Sequence, residues 1–249
     1  MMKKTTLALT VATAALGLAA VSATAQTKAP AAKAAASASA GSAGGAIIHD
    51  APKGVPNLTG KWINAKPESA LTAMGSPPPL NAAGKKAYAE NKTAKAAGKD
   101  PIAECLMHGQ PRLLFTKYPF LIMQYGKHVD FLHAANHTFQ ITYFGAKQDP
   151  DADPIWLGHT TAKWEGKTLV IDGEQYNAET WLDYTGLPHS EKLTTQERFE
   201  LAPDGKTIKG QVKITDPEFY SKPWTASFTL NKMPGYSLEQ YSCMADHHM

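Results

Sequence analysis

The chain has 249 residues, with 25 Lys+Arg against 22 Asp+Glu, a formal net charge of +3 and 43% hydrophobic residues. Four of the lysines, Lys3, Lys4, Lys28 and Lys33, precede Ile47 with no acidic residue among them, so the rest of the chain carries −1 and offers nucleic acid no electrostatic attraction. About 200 residues follow, enough for one domain with a substantial core.

Residues 1–25 hold two lysines, a short apolar run rich in Ala and Thr, and the small-x-small pattern Ala23-Thr24-Ala25 that signal peptidase accepts. The run is too short for a transmembrane anchor, and no cysteine follows it to carry a lipid. The expectation is a signal peptide over 1–25 and a periplasmic or secreted protein, with no stable membrane insertion after cleavage. Residues 26–46, rich in Ala, Ser and Gly with no large apolar side chain, read as a disordered tether, leaving 47–249 as a single β-rich domain.

The first elements are the short strand TGKWIN and a surface helix over roughly Asn81 to Ala97, capped by Asn81 and stopped by Gly98. After Cys105 come strands separated by turns: YPFLIMQYG, HVDFLHAA, HTFQITYFG, a hairpin pivoting at Glu165-Gly166, a second pivoting at Asp204-Gly205, then PWTASFTLNKM and SLEQYSC. Short turns force antiparallel neighbours, so the fold class is all-β: an antiparallel meander of about 8 to 10 strands, closed as a lipocalin-like barrel or folded as a sandwich.

Alternation nominates the inward faces. Glu197 is in phase with Leu193, Phe199 and Leu201; Asp216 continues Ile208, Val212 and Ile214; Trp224 begins the series Ala226, Phe228 and Leu230; and His137 is in phase with Phe139, Ile141 and Tyr143. A carboxylate on an apolar face is costly unless paired, and its pKa rises toward neutrality. Glu197 with His137 therefore suggests acid/base chemistry in one cavity, the alternative being a structural ion pair for Glu197. The stretch TWLDYTGLPHS forms the long connection into the Glu197 strand. In it Trp181 and Tyr184 are candidate pocket walls and Asp183 a candidate partner orienting His189; the alternative is a turn cap and a solvated loop histidine. Tyr143, Trp224 and Asp216 complete the expected ligand-binding set.

Cys105 and Cys243, the only cysteines, sit near the two ends of the strand-rich region, and export favours a disulfide between them; chain entropy assigns such a loop about 4 to 5 kcal/mol. His108, His133, His137, His159 and His189 show no tight metal-ligand spacing, and no nucleophile elbow, phosphate loop or dinucleotide motif is present, so neither a metal nor a cofactor is expected. These residues support a binder of a small hydrophobic or aromatic molecule. The alternatives are a cofactor-free lyase, isomerase or hydrolase, and a structural or interaction protein of the envelope.

The segments YPFLIMQYG, NHTFQITYFG, the GH…WEGKTLV block, TWLDYTGLPHS and DPEFYSKPW resemble successive motifs of an uncharacterised family of secreted proteins from sphingomonads and acidobacteria. The likeness spans most of 55–243, both cysteines included. Lys167 stands where that family has Asp, and Gln140 where it has an aliphatic or basic residue. The resemblance implies export and a shared architecture, and supplies no reaction.

Overall fold

The computed structural model describes residues 53–71 and 77–239, all within the unit Ile47–Met249. The expected signal peptide and tether, Cys243 and most of the expected strand SLEQYSC lie outside the described residues. Nine strands close into a barrel in chain order: β1 Gly60–Asn64, β2 Phe120–Gln124, β3 His128–His133, β4 Phe139–Phe144, β5 His159–Glu165, β6 Thr168–Glu174, β7 Thr194–Leu201, β8 Thr207–Thr215 and β9 Trp224–Met233. One helix, α1, spans Ala82–Ala96. No helix among the described residues is long and apolar enough to cross a membrane.

Eight of the nine contacts around the ring are antiparallel, including the closing pair of β1 with β9; β4 and β5 run parallel. The exception follows from parity, because strand directions cannot alternate all the way round a ring of odd number. It falls at the connection 145–158, which carries the chain back along the barrel before β5 begins. β4 and β5 share only the pairs Tyr143 with Thr161 and Phe144 with Ala162, and the Thr142 and Thr160 hydroxyls bond across the same seam at 2.8 Å.

Alternation along β7 to β9 puts Glu197, Phe199, Ile208, Val212, Ile214, Trp224, Ala226, Phe228 and Leu230 inside, all buried, as their phase predicts. Tilted and edge-on ring contacts fill one stretch of the barrel: Phe131, Phe199, Phe228 and Phe115 follow one another at centroid distances of 5.6, 5.7 and 5.8 Å. Gly210 leaves room for this packing, since a Cβ there would lie 2.1 Å from the Phe228 ring. At the Glu197 level the lining is smaller. Glu197 stands directly between Ile171 and Val212, whose own neighbours are Ala162 and Ala226.

The register places the ends of β3, β6 and β8 and the starts of β4, β5, β7 and β9 together at one end, here termed the upper end. The helix belongs to the cover of this end. Asn81 caps it by accepting from the Gly84 amide at 2.9 Å, as the sequence suggests. It is more than surface decoration: Tyr88 bonds the Thr185 hydroxyl, Asn91 donates to the Gly186 carbonyl, and Lys95 reaches the Tyr184 carbonyl. The long loop between β6 and β7 is thereby clamped.

Candidate ligand site at the upper end of the barrel

Glu197 faces the interior with 4% of its surface accessible, and among the described residues it has neither a cationic partner nor a hydrogen-bond donor. Burial alone pushes its carboxyl up to about 8, so it is largely protonated and uncharged at neutral pH. Nearby, the fully buried Tyr176 hydroxyl bonds Thr195 Oγ1 at 2.7 Å, one inward position above Glu197. Burial raises the Tyr176 phenol first and the Glu197 charge raises it further, which ties the two groups electrostatically. The ring is seated on two glycines. A Cβ at Gly173 would meet the Tyr176 oxygen at 2.1 Å, and one at Gly158 would meet its ring at 2.5 Å. Trp224, also inward at this end, keeps its indole N–H without an acceptor.

The TWLDYTGLPHS loop is buried, and most of its polar groups are architectural. Asp183 accepts from the Leu71, Thr185 and Leu187 amides and from the Thr185 hydroxyl, at 2.8 to 3.2 Å. It therefore caps a turn and does not orient His189, because its oxygens are taken by backbone donors converging from two segments. Asp216 likewise accepts from the Ser190 amide and hydroxyl and from the Glu218 amide. His189 is buried rather than solvated. One ring nitrogen contacts the Ser190 carbonyl at 3.3 Å, the other has no partner, and burial lowers its pKa. Trp181 and the half-buried Tyr184 present their rings to the Arg112 guanidinium, at 5.8 and 4.4 Å. Arg112 is fully buried and forms a two-pronged pair with Asp100, at 2.8 and 2.6 Å.

The phase assigned to β4 is corrected by its register. Phe131 on β3 points inward and lies opposite Gln140, and the His133 amide donates to the Thr138 carbonyl at 2.7 Å, so Thr138, Gln140 and Thr142 face the interior. His137 is consequently exposed, in a turn with positive φ at Asn136 and His137, while Phe139, Ile141 and Tyr143 lie outside at 67, 47 and 53% exposure. Neither His137 nor Tyr143 shares an interior with Glu197. The polar face stays inside because it is bonded there: Gln110 to Gln140 at 3.3 Å, Gln140 to Thr160 at 3.1 Å, and Thr160 to Thr142.

The inward histidine is His133. It is in phase with Val129 and Phe131, stacks on Phe120 with centroids 4.8 Å apart, and leaves both ring nitrogens without partners. His108 joins it from the segment before β2, its ring edge-on to Tyr184 at 6.4 Å and its carbonyl accepting from the Thr180 hydroxyl. Burial, then the His108 charge, lowers His133 to about 3, and burial, then the Arg112 charge, lowers His108 to about 4, so both are neutral. The in-phase alternation of β3 is the sequence signal that marks His133. His108, Gln110 and Arg112 sit in irregular chain, where periodicity gives none.

Among the described residues no group of three or more His, Cys, Asp or Glu side chains is arranged to hold a metal. A surface hollow of about 390 Å³ bounded by Arg198, Glu200 and Lys209 lies on the outward face of β7 to β9 and includes neither Glu197 nor the histidines. Comparison with known proteins gave no matching family model and no matching curated protein.

Proposed function

We propose that this protein is an exported barrel that takes a small, largely aromatic or hydrophobic molecule into the upper end of its interior. The observation that carries the reading is Glu197: a buried carboxyl with no cation and no donor beside it contributes nothing to stability, and its retention there points to an occupant that uses it. Trp224 and Tyr176 supply aromatic surface around it, and Ala162 and Ala226 keep the wall at its level thin. Export is supported by the lysine-led leader, the Ala23-Thr24-Ala25 site and the resemblance to a secreted family. The expected Cys105–Cys243 bridge belongs to the same picture.

The test is a scan of small aromatic alcohols and acids by melting temperature on the wild type and on Glu197→Gln. Ligands that raise the wild-type melting temperature and fail to raise the variant's support the reading. Equal stabilisation of both proteins by every hit refutes the role of Glu197.

The position of the Glu197 carboxyl near neutrality favours a second reading, in which the protein is a cofactor-free acid/base enzyme whose bound molecule receives a proton from Glu197 and Tyr176 holds developing negative charge. Turnover would then fall as pH rises past about 8 and vanish in Glu197→Gln. Activity in Glu197→Gln equal to the wild type rules this reading out.

A further inference from the structure

Six of the eleven buried side-chain atoms without a hydrogen-bond partner among the described residues belong to five side chains: His108 Nδ1, Gln110 Oε1, Arg112 Nε, Thr138 Oγ1 and both ring nitrogens of His133. Their concentration decides what they are. Interiors tolerate scattered orphans, but buried polar atoms are nearly always paired, and a cluster of them marks a place where the partner comes from elsewhere. The five residues occupy two facing segments. His133 and Thr138 lie opposite each other across the β3–β4 turn, and the 108–112 segment crosses that face, tied to it by the Gln110–Gln140 bond.

The chemistry of the cluster is specific. Arg112 is already neutralised by its two-pronged bond to Asp100, leaving Nε–H as a lone donor. The imidazoles are neutral, so His133 offers one donor and one acceptor, and Gln110 Oε1 offers a second acceptor. No net charge is left for an anion or a cation to answer. The walls are flat: His133 lies on Phe120 at an interplanar angle of 29°, and the Tyr184 and Trp181 rings flank Arg112.

We infer that His108, Gln110, Arg112, His133 and Thr138 form a head-group site for an uncharged, planar ligand carrying both donor and acceptor atoms, of which a primary aromatic amide is the simplest case. The inference deepens the reading above, since it rests on an occupant at this end of the barrel, and it adds the polar chemistry that Glu197 alone does not define. A charged head group is rejected because it would bring an unanswered charge into the cluster.

Three probes of nearly one shape test it: benzamide, benzoate and benzamidine, titrated into the exported full-length protein while the histidine ring nitrogens are followed by nitrogen-15 NMR. Benzamide should shift the His108 and His133 signals saturably and bind at least about tenfold more tightly than either charged probe. His133→Phe, which extends the stack with Phe120 and removes two orphans, should abolish those shifts at His108 and raise the melting temperature. Lys209→Ala, exposed on the outward face of β8, should leave the histidine shifts intact. The inference is overturned if benzoate or benzamidine moves the signals as much as benzamide, if no probe moves them, or if His133→Phe melts lower than the wild type. Intact histidine shifts together with Glu197-independent ligand stabilisation would sink the Glu197 reading alone.

Discussion

Replacing Glu197 by Gln should stabilise the protein, by an amount that grows with pH. The folded carboxyl titrates at about 8 against 4.5 for an unperturbed glutamate, so the native state holds a proton that the unfolded chain releases. Stability is therefore full below about pH 4.5 and is lost as pH rises toward the folded value, at about 1.4 kcal/mol per pH unit while only the unfolded state is ionised. At pH 7 the loss reaches about 3 kcal/mol, and it levels off above about pH 8. Gln keeps the shape of the neutral acid and cannot ionise, so it escapes this loss. The assay is urea unfolding followed by tryptophan fluorescence at several pH values between about 4.5 and 8.5, with the two proteins compared at each. Every other titrating group is common to both, so the difference isolates residue 197. Near pH 4.5 the curves should coincide apart from a constant offset; near pH 7 the variant's unfolding free energy should stand about 3 kcal/mol higher. A difference that does not vary with pH, or a variant less stable throughout, refutes the reasoning, because either result means that Glu197 is ionised and paired in the folded state.

Gly173→Ala should drive the Tyr176 hydroxyl from its seat and cost about 1 to 3 kcal/mol, with Tyr176→Phe in the same chain restoring part of the loss; thermal melting of the single and double variants measures this. Asp183→Asn should lower stability by about 3 kcal/mol or more in urea titration, since four donors from Leu71, Thr185 and Leu187 lose a charged acceptor, while His189 keeps its Ser190 contact. The proposed Cys105–Cys243 bridge predicts that neither thiol is alkylated before reduction, checked by mass analysis; two labelled cysteines refute it.

The strands with a clearly apolar face were legible. In β7, β8 and β9 the buried series from Phe199 to Leu230 follows the sequence phase, and Glu197 could be placed inside because Leu193, Phe199 and Leu201 share its phase. β4 has the same period and the opposite outcome. Alternation fixes which residues share a face, not which face is inside, and the rule that apolar means inward fails where the interior itself is polar. Inward Phe131 opposite Gln140 decides it, a fact of pairing rather than of composition. The two aspartates near the TWLDYTGLPHS loop show a second limit. A sequence displays Asp183 and Asp216 as charges available for chemistry, whereas the backbone amides that consume them come from residues as distant as Leu71 and Ser190. The cluster around His108 and His133 was out of reach for the same reason, half of it being carried by chain without periodic structure.

The odd strand count also sets a rule of length. A parallel neighbour can be reached only by travelling the barrel from end to end, and β5 alone, with seven residues at roughly 3.3 Å each, spans about 23 Å. Connection 145–158 has fourteen residues, and an extended chain covers at most about 3.3 to 3.6 Å per residue, so about seven of them suffice to make the journey. The surplus is spent on fastening: Gln148 donates to the His159 carbonyl, Gln175 to the Asp149 and Ala152 carbonyls, and the Ile155 backbone donates to the Gln175 carbonyl and accepts from the Asn177 amide at the β6 exit. This segment can be trimmed by about half before the ring has to open, whereas the two-residue hairpin turn Gly166–Lys167 has nothing to give.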